Sequence, residues 1–581
     1  MPKVDANLDK LRHTTAHVTA AAVLELFPNA KFGIGPVIKD GFYYDFELPR
    51  SLNPQDLPKV EAKMKEIIKR NLPLEKVEVK PDQAVKINQE AKQVYKLELI
   101  DELIQAKEQI TVYKCGRFND LCRGPHLTKT GLIKPETFKL LGIAGAYWKG
   151  DEKRPMLQRI YGTVWQNKAD LDIYLKRIQE AESRNHRILG KQLDLYSIQE
   201  KAGAGLVFWH PNGALIRHQI ETFWKDEHFK QGYQLLYTPH IAKLDIWKKS
   251  GHWEKFRENM FSPMQIDNIP YEIKPMNCPF HIMIYQTKKW SYKELPLRWG
   301  ELGTVYRYEP SGTLHGLTRV RGFTQDDAHI FCTEEQFAKE VEETVKLANY
   351  MMKVFGLKPK HYLATRPEKF LGKKETWDFA EGILEKVLKK LKLEYEVDKG
   401  GGVFYGPKID VKVTDALMRE WQGPTIQLDF NLPERFNVTY VDKGGQNKKV
   451  IMIHRTVLGS MERFLGSLIE HYGGNFPAWL APVQVQIMPV GSKHIKPSQK
   501  LGEELKKEGF RVYVDDLNET VGYKIRKAIQ QKVPYMLVIG DKEVKQTKLA
   551  VRERGKKVVK NIAKKTFIKQ LHEEIAKKKI K

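Results

Sequence analysis

The sequence predicts an α+β multidomain protein, on three observations. Its 581 residues are too many for one core and suggest three or four domains. Residues 304–308 and 317–323 read as two strands around Pro310-Ser311-Gly312, which predicts antiparallel pairing. Beyond residue 482 strands and helices alternate, which predicts a small α/β domain with a mixed sheet.

Apolar residues make up 41% of the chain, enough for ordinary cores. Lys and Arg exceed Asp and Glu by 98 − 72 = +26, so the surface attracts polyanions, nucleic acid first among them. The four cysteines, Cys115, Cys122, Cys278 and Cys332, are too few for a disulfide framework and predict a reducing compartment. With no signal-peptide core and no long apolar run, the chain is expected to be cytoplasmic and without a membrane partner.

From the N-terminus, residues 11–26 read as a helix ending before Pro28. His13 and His17 are four apart and share a face. Cys122 and His126 repeat that spacing in D-L-C-R-G-P-H, and the four side chains are of types that suit zinc. Residues 168–189 read as one helix, with Leu171, Tyr174, Leu175, Ile178 and Ala181 along one face and Gly190 just past its end. A helix over 215–227 and a strand over 233–239 follow. The stretch 298–332 gathers Arg307, Glu309, Arg319, Arg321, Phe323 and His329. Arginine forks suit phosphate and an aromatic face suits a purine, so this hairpin can bracket a nucleotide. No P-loop pattern is present. After 482, the expected order is a strand at 483–487, a helix at 498–507, a strand at 511–514, a helix at 521–531 and a strand at 535–539. A lysine-dense tail follows over 556–581.

R-V-R-G-F-T-Q-D-D-A-H-I-F, with Arg307-x-Glu309 before it and Gly459-Ser-Met-Glu-Arg463 after it, closely resembles motifs 2 and 3 of the class II aminoacyl-tRNA synthetases, and of threonyl-tRNA synthetases in particular. The resemblance implies a class II antiparallel-sheet catalytic core at 191–479. It implies an α+β editing domain at 1–165, a linker helix at 166–190, and an α/β anticodon-binding domain at 480–581. The implied activity is ligation of threonine to its tRNA through threonyl-adenylate, with hydrolysis of mischarged seryl-tRNA. A synthetase-derived, non-catalytic RNA-binding protein is the rival. Intact Arg307, Glu309, Arg319 and Arg463 argue against it, since such a protein has no ATP to hold.

The resemblance also assigns residues. Arg307 takes the α-phosphate, Glu309 the adenine amino group, Phe323 and Arg463 the two faces of the ring, and Arg319 the terminal phosphates with Mg²⁺. Gln422 lies near the nucleotide, and Lys408 joins Arg307 and Arg463 as a catalytic residue. Cys278, His329 and His454 form an open zinc site, one per subunit. Asp327 meets the threonine ammonium, and Met276, Gln325, Tyr405 and Gln427 shape the pocket. Valine is nearly isosteric with threonine, and a site that must engage a hydroxyl rejects it. Serine has the hydroxyl and passes, hence a second, hydrolytic site. There His13, His17, Lys96, Asp120, Cys122 and His126 line a pocket that the family is usually thought to use without metal. Asn518, Glu543 and Arg552 read anticodon bases. The region 203–239 resembles motif 1 and implies a homodimer. The family often begins with a small ubiquitin-like domain, and here the H-T-T-A-H helix is expected to start the chain without it. Phe280 stands where the family commonly has glycine, and Val403 where it has a small residue.

Overall fold

The computed structural model describes residues 6–415, 419–546 and 548–580. They fall into two compact units, Met1–Gln179 and Glu180–Lys581.

In the first unit the helix Ala6–Leu26 buries Ala16, Val18, Ala20, Ala22 and Val23, small residues that let it lie close to its neighbours. Helix Leu57–Lys69 adds Val60, Met64, Ile67 and Ile68 to the same core. Both helices pack against an antiparallel sheet ordered Lys31–Phe32, Gly41–Glu47, Met156–Val164, Phe138–Tyr147. A three-stranded sheet, Leu74–Glu78, Thr111–Cys115 and Phe118–Leu121, delivers Asp120 and leads into Cys122.

The single helix expected over 168–189 is two, Lys168–Ser183 and His186–Gln192. Asn185 leaves the helical region (φ −52°, ψ 123°) and caps the second helix, its side chain accepting from Arg187 N. Gly190 sits inside that second helix, where a Cβ would stand 2.4 Å from the Tyr196 ring.

The second unit is built on an eight-stranded sheet. Its order is Gln234–Leu235, Leu297–Tyr306, Gly322–Cys332, Ile451–Ser460, Glu420–Asp429, Lys408–Thr414, Lys358–Ala364, Tyr395–Asp398. The first and last pairs are parallel and the rest antiparallel. Helices Pro211–Lys230, Glu334–Val354, Lys374–Lys390 and Met461–Tyr472 bury residues in the core of this unit. The expected hairpin is longer on both arms and wider at the tip: Leu297–Tyr306 pairs with Gly322–Cys332, and residues 307–321 form a loop. Pro310, Gly312 and Gly316 (φ +49°) lie in this loop, and just past them Leu317 N, expected to open the second arm, turns to a side chain, His186, instead of a strand.

The C-terminal sheet is mixed, as expected. Val512–Val514, Val485–Pro489 and Tyr535–Ile539 are parallel, and Lys548–Glu553 and Val559–Ala563 continue antiparallel. The lysine-dense tail therefore begins with a strand and only then becomes the helix Lys564–Ala576. Among the described residues no helix is long and apolar enough to cross a membrane.

Candidate functional site: a nucleotide cleft, a Cys/His₂ pocket and a separate histidine cluster

Strand alternation organises the main site. Phe323, Gln325, Asp327 and His329 are every second residue of one strand, so they share a face over about 20 Å. At the far end His329 stands directly opposite His454, which stands opposite Gln427 on the next strand. Two residues back, Asp327, Thr456 and Thr425 form a second row.

At the Phe323 end, one cleft is lined by Arg307, Glu309, Arg319, Phe323, Gln422 and Arg463 together. Arg307 donates from Nε to Pro275 O at 3.3 Å, and its guanidinium lies 5.2 Å from the centres of both the Phe256 and Phe323 rings. No carboxylate pairs with it among the described residues, and burial lowers its pKa, so this cation is left for an anionic ligand. Arg319 Nε donates to Glu309 Oε2 at 2.8 Å, and Arg463 Nε donates to Thr318 O at 3.1 Å. Gln422 Nε2 donates to Asp410 Oδ1 at 3.0 Å, while Lys408 Nζ holds the other oxygen of Asp410 at 2.6 Å. Lys408 lines neither cleft.

At the His329 end, the ligand atoms of Cys278, His329 and His454 lie within 4.8 Å of one another. His329 Nε2 and His454 Nδ1 face each other at 3.0 Å. His454 Nε2 is held by Asp429 Oδ2 at 2.8 Å, so Nδ1 is its inward atom. His329 Nδ1 contacts His281 Nδ1 at 2.8 Å, and His281 Nε2 contacts Glu301 Oε2 at 3.1 Å. Glu301 in turn accepts from Thr238 N and Oγ1. Burial, with His454 and His281 adding to it, holds His329 far below the ordinary imidazole range, so the ring is neutral as a ligand must be. Burial pushes the Cys278 thiol up, and only a cation in the pocket would reverse that. One sulfur, two imidazole nitrogens and outer carboxylates on His454 and, through His281, on His329 fit a three-ligand zinc site with an open position. Gln427 is buried and its side chain hydrogen-bonds that of Tyr405, and Asp327 Oδ2 accepts from Asn277 Nδ2 at 3.2 Å. Met276 and Tyr405 line the pocket with Cys278 and His454. Phe280 points away from it, into an apolar cluster with Leu244, Trp247 and Met260.

In the first unit, His13, His17, Cys122 and His126 come together, their ligand atoms also within 4.8 Å of one another. Cys122 Sγ lies 3.3 Å from His13 Nε2 and 3.2 Å from His126 Nε2. His17 Nε2 lies 3.2 Å from Asp120 Oδ2, which also accepts from Tyr44 OH at 2.6 Å. Buried Lys96 pairs with the same Asp120. Burial lowers the pKa values of His13, His17 and His126 and raises the Cys122 thiol to about 11. The cluster thus holds neutral imidazoles beside one ammonium–carboxylate pair. Those groups can position a water and stabilise a developing oxyanion.

In the C-terminal domain Asn518 is exposed before the helix Val521–Gln530, and Glu543 Oε2 caps Gly540 N at 3.0 Å. Arg552 lies on the Lys548–Glu553 strand opposite Met536.

Sequence reasoning missed His281, Glu301, Asp429 and Tyr44. The first three act through other side chains, and Tyr44 reaches its cluster from a distant strand. No spacing signal marks Glu301, Asp429 or Tyr44. The one local hint was His281, three residues after Cys278 and so on the same face of the helix Cys278–Tyr285.

Comparison with known proteins matches these regions in order. The family model "tRNA synthetase class II core domain (G, H, P, S and T)" covers residues 263–472. "Anticodon binding domain" covers 484–574, and "Threonyl and Alanyl tRNA synthetase second additional domain" covers 110–161. A threonine–tRNA ligase of Dehalococcoides mccartyi is 56% identical over 550 residues, 94% of each chain. That of Borrelia hermsii is 52% identical over 549 residues, again 94% of each. The solved RNA-binding domain of a threonyl-tRNA synthetase from Cryptosporidium parvum matches with a TM-score of 0.64 at 37% identity. That match covers 67% of this chain and 98% of the other. With the relatives aligned along nearly their whole length, the chain belongs to the threonine–tRNA ligase family of class II aminoacyl-tRNA synthetases.

Proposed function

We propose that the face running from Phe323 to His329 is where this threonine–tRNA ligase activates its amino acid, with ATP at the Phe323 end and threonine at the His329 end. The observation that carries the reading is the common face. Arg307 and Gln325 line the nucleotide cleft, and Arg307 Nε reaches Pro275 O beside Met276 of the Cys278–His454 pocket, so an amino-acid carboxylate and an α-phosphate would meet at Arg307. In the activation step a carboxylate oxygen of threonine bonds to the α-phosphorus as the bond to pyrophosphate breaks. Arg307 neutralises charge building on the α-phosphate oxygens. Arg319 holds the pyrophosphate end, where Mg²⁺ when bound would offset phosphate charge, while Phe323 and Arg463 sandwich the purine. No protein nucleophile is needed, because positioning and fixed charge lower the barrier. Lys408 acts at one remove, through Asp410 on Gln422.

Cys278, His329 and His454 would hold Zn²⁺, which when bound supplies an open position for the amino and hydroxyl groups of threonine. Asp327 takes the ammonium, and Gln427 with Met276, Gln325 and Tyr405 frames the side chain. His13, His17, Lys96, Asp120, Cys122 and His126 form the site that hydrolyses seryl-tRNA. Asn518, Glu543 and Arg552 read the anticodon. The functional divisions proposed are 1–165, 166–190, 191–479 and 480–581. A homodimer is supported by exposed aromatic side chains in the last turn of the long helix Pro211–Lys230 and in the segment that follows it, Phe229 at 56% and Tyr237 at 81% exposure. Free cysteines support a reducing, cytoplasmic setting.

The test is ATP–pyrophosphate exchange with threonine, serine and valine, with and without zinc. Strong exchange with threonine, less with serine, none with valine and none without zinc is expected. Equal exchange with valine would overturn the proposed discrimination.

A further inference from the structure

We propose that His186 is a positioning residue for the nucleotide: it anchors the tip of the 307–321 loop, so that Glu309 and Arg319 stay opposite Arg463. The inference rests on the reading of that cleft as the ATP site.

His186 opens the second helix of the linker, far in sequence from either motif, and is 1% exposed. Its backbone N donates to Glu470 Oε1 at 3.1 Å, and its Nδ1 lies 2.6 Å from the same oxygen. A carboxylate only accepts, so Nδ1 carries the proton and Nε2 presents a lone pair. That lone pair receives Leu317 N–H at 3.0 Å, a buried bond across 131 residues. Arg419 sits 2.5 Å from the second oxygen of Glu470 and fixes the carboxylate from behind. Glu470 lies on the Met461–Tyr472 helix that also carries Arg463. One imidazole thus joins the linker, the nucleotide loop and the helix of Arg463.

The base of the loop is tied elsewhere, by Tyr308 N to Asn259 O and Arg321 N to Gly205 O, both 2.9 Å or shorter. At the tip the Leu317 side chain is buried in the core, and among the described residues the other outward hydrogen bond is Arg463 Nε to Thr318 O. A nucleotide that recruits Arg463 competes for that bond, whereas the His186 bond is spared. Gly316 makes the approach: its φ is +49°, and a Cβ there would lie 2.1 Å from His186 Nε2.

The experiment measures KM for ATP and for threonine by pyrophosphate exchange on full-length enzyme, with zinc content alongside. His186→Ala orphans Leu317 N–H and should raise KM for ATP about tenfold, with KM for threonine and zinc content unchanged. His186→Gln keeps an amide N–H for Glu470 and a carbonyl for Leu317, and should recover most of the loss. Should His186→Ala fail to fold, Gly316→Ala displaces the tip independently and should raise KM for ATP in the same selective way. An unchanged KM for ATP in the folded variants, or an equal rise in both KM values, overturns the inference. Absence of threonine-dependent exchange in the wild type overturns the ATP-site reading itself.

Discussion

Replacing His281 by leucine should weaken zinc binding over and above the loss of its hydrogen bond to buried Glu301, a cost that the metal-free and metal-bound proteins share. A bound metal takes the Nε2 lone pair of His329 and leaves its proton on Nδ1, 2.8 Å from His281 Nδ1. His281 can accept that proton's hydrogen bond because its own Nε2–H is directed to Glu301. Leucine accepts nothing, so in the metal-bound form a buried N–H faces carbon, at a cost of about 1–3 kcal/mol. Without metal the proton can move to Nε2 and donate to His454 Nδ1, 3.0 Å away, and most of that cost disappears. The cost therefore falls on the metal-bound state, and zinc affinity should drop about 10- to 100-fold, the range usual for outer-sphere partners. Competition with a chromophoric chelator measures it, with denaturant unfolding of the stripped protein as the control. The reasoning is refuted if the stripped variant is destabilised while its zinc affinity matches the wild type. His281 would then be a packing residue.

Two further outcomes are expected. His17→Ala should leave threonine activation intact and slow seryl-tRNA hydrolysis by about 10²- to 10⁴-fold, the usual worth of a positioned acid–base group; deacylation of isolated seryl-tRNA reads it, and unchanged clearance would move the hydrolytic site elsewhere. His228 stacks on Trp224 at 3.8 Å and contacts its carbonyl at 2.5 Å, and burial holds its pKa down at about 2. The unfolded chain takes up that proton near pH 6.5, so the stabilisation is whole above this pH and lost as pH falls. The loss reaches about 2 kcal/mol near pH 5. His228→Phe should lose less than the wild type between about pH 7.5 and 5 in denaturant titrations, and parallel losses would contradict the assignment.

Much of the site was legible because its residues sit in short, ordered strings. The alternation Phe323, Gln325, Asp327, His329 needs only a strand to share a face, and the His13/His17 pair needs only a helix. Alternation and turn residues likewise located the C-terminal elements to within a few residues. What failed was local judgement at breaks. The helix Lys168–Ser183 ends two residues before Asn185, whose side chain caps the next helix. The nucleotide loop is wide because Leu317 N bonds to His186.

The sequence by itself determined most of the secondary elements, the alternation that puts Phe323 to His329 on one face and, by resemblance, the family and its ligand types. Tertiary structure decided which atom of each ligand faces inward. That depends on carboxylates up to dozens of residues away, Asp429 on His454 and Glu301 through His281 on His329. It also decided that Phe280 fills an apolar gap instead of crowding the metal pocket. Backbone periodicity is a property of neighbours in the chain and can be read along it. A tautomer, a buried ion pair or a packed ring is set by whatever the fold brings alongside, and long-range pairing alone supplies that.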